Sequence, residues 1–123
     1  MAKLTGANVR FHNNTPKGPD SQIEIIVTDS TGTIVAQESN AYGPFAAGAN
    51  SGPFPIPVLN EVDKHRLQPG GTVTLNWLPV PPGALAWDFN VNVDLIFEDG
   101  SNLLVTQNGV DLNPAANSVV YGL

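Results

Sequence analysis

Residues 87–97, WDFNVNVDLIF, alternate apolar and polar side chains over almost their whole length, and no other feature of the chain limits its fold so strongly. A period of two places successive side chains on opposite faces of an extended strand. Trp87, Phe89, Val91, Val93, Leu95 and Phe97 therefore face a core, while Asp88, Asn90, Asn92 and Asp94 face away. Asp and Asn are poor strand formers, but that scale spans only about 1 kcal/mol and burial of the aromatic and aliphatic set outweighs it. At ~3.3 Å per residue the stretch reaches about 36 Å, long for a strand. It is expected to bend or carry a bulge, and to run through the middle of a sheet.

The same period recurs along the chain. NVRFH turns Val9 and Phe11 inward, SQIEIIVTD does so with Ile23, Ile25 and Val27, and TVTLNWL with Val73, Leu75 and Trp77. TIVAQES follows the DSTG turn as a hairpin partner, SNLLVTQ lies between the turn signals Asp99-Gly100 and Asn108-Gly109, and SVVYGL closes the series. PFPIPVL carries Pro53, Pro55 and Pro57 at same-facing positions; each lacks an N–H, which assigns this strand to a sheet edge. LNEVDKHRL has room for a helical turn and nothing longer. Seven to eight strands at this spacing predict an all-β fold, an antiparallel β-sandwich of two layers, because a single sheet would leave its apolar face in water. Alternation does not fix connectivity, so an immunoglobulin-like strand order stands as the alternative.

The 123 residues suit one domain, residues 1–123, and a chain of this size buries roughly two thirds of the surface its unfolded form exposes. With no cysteine there is no disulfide, zinc-thiolate site or cysteine nucleophile. Apolar residues make up 41%, too many for disorder. No apolar run approaches the ~20 residues of a membrane span, and the first ten residues lack a secretory signal's apolar core, so a soluble protein, cytoplasmic by default, is expected. The net charge is −6 and the five basic residues are scattered, which argues against nucleic acid as a partner.

If consecutive strands run in opposite directions, three long connections (13–20, 40–52 and 79–86) share one pole, and the tight DSTG and EDG turns share the other. Long loops grouped on a rigid scaffold are where binding commonly lies. The opening ANVRFHNNTPKGPDSQIEIIVTDSTG and the later WDFNVNVDLIFEDG resemble the C2 and PLAT (LH2) type of β-sandwich over most of the chain. The likeness lies in an Asn/Asp-rich first loop, a strand ending in Asp-x-x-Gly, and a late Trp-led strand before Asp-Gly. It implies a non-enzymatic binding module that recognises a lipid, sugar or protein surface through its loops, with calcium, held weakly by loop acids, as the implied cofactor. On this resemblance Tyr42, Phe45, Asn13 and Asn14 are the expected ligand contacts, and Asp20 and Asp88 the expected metal ligands. The first loop departs from the family pattern in having a single aspartate, Asp20, beside Asn13 and Asn14, which puts calcium in question. An assembly protein forming a homo-oligomer of coat or decoration type is the second expectation. Ile26, Leu78 and Ile96 interrupt otherwise polar faces and would form one patch if their strands adjoined.

The polar ladder of residues 88–94 cannot be one metal site. Calcium keeps its oxygens within about 5 Å of each other, whereas same-face neighbours on a strand lie about 6.6 Å apart. A solvated face is the plain reading, and a sugar- or protein-binding face the sharper one. Nucleophilic catalysis requires a base beside its nucleophile, and the two histidines, His12 and His65, belong to opposite poles on this topology. No enzyme activity is expected.

Overall fold

A computed structural model describes residues 3–15, 22–40, 46–78, 87–112 and 117–123. Its elements are β1 (Leu4–Asn13), β2 (Gln22–Thr28), β3 (Ile34–Asn40), β4 (Asn50–Pro55), α1 (Lys64–Leu67), β5 (Thr72–Leu78), β6 (Trp87–Phe97), β7 (Asn102–Leu112) and β8 (Ser118–Gly122). The strands form two four-stranded antiparallel sheets in the orders β4-β1-β6-β7 and β3-β2-β5-β8. The protein is thus an all-β sandwich. β1 neighbours β4 and β6, whereas in an immunoglobulin sheet the first strand neighbours the second, so that order is not the one found.

The expected alternation holds. All six inward residues of β6 are buried, and Val9 and Phe11 of β1, Ile23, Ile25 and Val27 of β2, and Val73, Leu75 and Trp77 of β5 join them in one core. β6 is interior to its sheet, and its register against β7 shifts between Phe89 and Val91, the bulge its length called for. Strand directions follow from the antiparallel pairings. The strand ends that flank 14–21, 41–49 and 79–86 lie together at one pole, where Trp77 of one sheet meets Trp87 of the other at 6.3 Å between rings. The opposite pole carries the turn at 29–33, α1 and the turn at 98–101.

Three details differ from expectation. Asn108-Gly109 is not a hairpin turn: β7 runs through it to Leu112, because it must match the whole length of β6. Gly109, at φ 68°, forms the bulge, and its N–H donates to Asn90 Oδ1 at 2.9 Å. The proline-rich strand is an edge strand as expected, but it spans 50–55, and the residues after it cross between the sheets. Ile56 N–H donates to Ala7 O of β1, Gln37 N–H of β3 donates to Pro57 O, and Leu59 and Asn60 N–H donate to Val35 O of β3. This strap closes the β3/β4 side of the sandwich. Finally, Ile26 lies in one sheet and Ile96 in the other, so they form no common patch; the side chain of Leu78 is outside the described residues.

Candidate functional site on the polar face and the loop-bearing pole

Beneath the loop-bearing pole lies an aromatic cluster. Trp87 stacks on Phe89 with ring centroids 3.9 Å apart, and Phe11 meets both at 5.5 and 5.7 Å. Asn13, the last residue of β1, points into this cluster and is fully buried. Its Oδ1 accepts Trp87 Nε1–H at 2.9 Å, its Nδ2 donates to Ala49 O at 3.0 Å, and its own backbone exchanges hydrogen bonds with Gly48 and Ala49. Both ends of the amide are engaged, so Asn13 ties the β3–β4 connection to the core and presents no surface contact to a ligand. The expectation of a binding role reads Asn13 too literally: an amide ending a strand can satisfy a buried indole as readily as a ligand.

Asn14, the next residue, is exposed. Its Nδ2 donates to Asp88 Oδ1 at 2.8 Å and to Asn90 Oδ1 at 3.3 Å, and Asp88 O accepts the backbone N–H groups of Asn14 and Thr15. Asp88 is therefore held at the upper end of the polar face, against the first connection, where the sequence placed it. Asp111 of β7 lies directly opposite it, a second carboxylate that the sequence reading passed over because the β7 register was not legible. Tyr42, Phe45 and Asp20 lie outside the described residues. Among the described residues no group of three or more His, Asp or Glu side chains is placed to hold a metal ion.

Below Asp88 the outward side chains of β1, β4 and β6 line a depression of about 270 Å³ bounded by Arg10, His12, Asn50, Ser51, Gly52 and Asn92. The register explains the grouping: His12 pairs with Asn50 on one side and Asn90 on the other, and Arg10 sits beside Asn92. His12 Nδ1 and Asn50 Oδ1 are 2.6 Å apart, within hydrogen-bonding distance. Arg10 is exposed and makes no ion pair among the described residues, where Lys3–Glu61 is the pair formed. Gly52 is necessary to the shape. At φ 110° it lets β4 approach β1 so closely that an added Cβ would stand 2.7 Å from Val9 O. A smaller hollow of about 90 Å³, lined by Asn8, Arg10, Asn92, Asp94 and Leu104, continues the face downward.

Chemically this is a wet, amide-rich surface with one cation, open to water. Its aromatic side chains are turned away into the core. It has the donors and acceptors to bind a hydroxyl-rich ligand laid along it, and a single guanidinium for a charge. His65, in α1, is at the far pole, so the two histidines do not act together. Compared with protein-family models, curated proteins and solved structures, the chain matches none of them.

Proposed function

We propose that the protein is a non-enzymatic binding module that recognises carbohydrate on the polar face beside its loop-bearing pole. The observation that carries this reading is the depression bounded by Arg10, His12, Asn50 and Asn92 on a rigid four-stranded sheet. Amides supply paired donors and acceptors at fixed spacing, and a face built on strands holds them more precisely than loops do. The resemblance to C2 and PLAT modules supports a recognition role, and the shared pole of the three long connections is where Tyr42 and Phe45 would add contacts. Calcium, on this reading, assists weakly: Asp88 and Asp111 supply two carboxylates, where tight sites combine six to eight oxygens with more charge.

A glycan array probed with and without calcium, with liposome sedimentation beside it, tests the proposal. Glycan binding that falls at least about tenfold in both Arg10→Ala and Asn92→Ala is expected, a loss equivalent to roughly 1.4 kcal/mol. Calcium should change it only slightly. Binding to liposomes alone, or glycan binding indifferent to both substitutions, would remove the polar face from consideration.

A further inference from the structure

The two sides of the sandwich end differently. On one side β4 carries Pro53 and Pro55, which have no N–H to offer, and the strap through Pro57–Asn60 hydrogen-bonds along β3. On the other side β7 and β8 are the last strands of their sheets, and among the described residues each pairs with a single neighbour, β6 and β5. Phe97 N–H donates to Ser101 O, and the register carries that pattern up through Leu95/Leu103, Val93/Val105 and Val91/Gln107. The N–H and C=O groups of Asn102, Leu104 and Thr106 therefore point away from β6, along an edge that no described strand pairs.

That edge lacks the devices that natural sheets use against pairing. From Gly100 to Val110 there is no charged residue and no proline, and the bulge at Gly109 interrupts only its upper end. Leu104 and Val120, each 57% exposed, are the most exposed large aliphatics among the described residues, and they sit on β7 and β8 respectively. In a chain of net charge −6, two copies could meet here without opposing like charges. An antiparallel strand edge is also self-complementary about a two-fold axis, so a second copy fits it with no separate partner surface.

We infer that β7 pairs antiparallel with β7 of a second copy, centred on Leu104, to form a two-fold dimer. Leu104 then faces the partner subunit's Leu104, and Asn102 faces the partner subunit's Thr106. The two β4-β1-β6-β7 sheets become one eight-stranded sheet with both polar faces on the same outer surface, and the β8 edges are brought opposite each other. Arg10 and Asn92 take no part in the pairing, but Leu104 also borders the hollow that continues the polar face, so the pairing is read from oligomeric state and amide exchange and not from ligand binding.

Sedimentation across low to high micromolar concentration, combined with amide exchange, tests it. The wild type should pass from monomer to dimer, and the amides of Asn102, Leu104 and Thr106 should exchange more slowly as concentration rises. Leu104→Lys should raise the dimer Kd at least about tenfold by placing like charges at the two-fold. Thr106→Pro, which removes an N–H that points away from β6 and toward the partner strand, should do the same and guards against one variant failing to fold. A monomer throughout, or a dimer that neither substitution weakens, or exchange at those amides that ignores concentration, would overturn the pairing.

Discussion

Asn13 illustrates how one buried amide can govern a pole. Replacing it by Ala removes the acceptor for Trp87 Nε1–H and one of the two donors to Ala49 O, while the backbone N–H of residue 13 still bonds Ala49. An indole N–H left without a partner in a dry core costs about 1–3 kcal/mol. Trp77, 2% exposed, already has an Nε1 without a partner among the described residues, so the same core would then hold two. Asn13→Ala is expected to lose about 2 kcal/mol in urea unfolding. Asn14→Ala, which removes only exposed bonds, should lose less than about 0.5 kcal/mol. Equal losses would mean that the Trp87 contact contributes nothing.

At the level of the strands, glycine marks where the two edges of the polar sheet were shaped. Gly109 holds a left-handed conformation with open space around it, so Gly109→Ala meets only the backbone penalty of about 1 kcal/mol. Gly52→Ala meets that penalty and a Cβ driven against Val9 O, and should cost at least about twice as much. Comparable urea midpoints for the two variants would contradict the close approach of β4 to β1. The glycines also show what the sequence could tell. Strand identity and inward faces were legible because six apolar residues in strict alternation on β6 admit one arrangement, and the prolines at 53 and 55 told of an edge. Asn-Gly, by contrast, serves a hairpin and a bulge equally, and only the length of β6, which β7 has to match, decides between them. Asn13 was misread for a related reason: whether an amide faces water or an indole depends on Trp87, 74 residues away. The depression around Arg10 was invisible in the sequence, since it needs the β1–β4 register that an irregular β4 concealed.

For the molecule as a whole, four groups among the described residues couple pH to stability. The Thr31 hydroxyl bonded to the Asp29 carboxylate, with the N–H groups of Thr33 and Thr31 and the charge of Arg66, holds that carboxyl below its ordinary 3.8 against the opposing effect of burial. Asp99 is lowered likewise, chiefly by the Ser101 hydroxyl. Groups whose folded pKa is depressed contribute stability that is present above the unfolded value and lost as pH falls through the folded one. At the other end, the Glu61 hydrogen bond raises Lys3 above 10.5, and burial raises Tyr121 above 10.0. Both of these hold their protons more tightly when folded, so their contributions vanish only as pH climbs past those values. The urea midpoint should therefore be flat from about pH 5 to 9 and fall below about pH 4. Asp29, 6% exposed, anchors the β2–β3 turn with three hydrogen bonds to one oxygen, so its share of the acid limb can be isolated. Asp29→Asn should cost about 1–2 kcal/mol at neutral pH, toward the lower end because the turn borders solvent. Protonation neutralises the wild-type carboxyl in acid, so the gap between the two proteins should close as pH falls through the lowered folded value of Asp29. A gap that stays constant from neutral pH to acid would assign the loss to the turn's shape and remove the Asp29 charge from the account of acid unfolding.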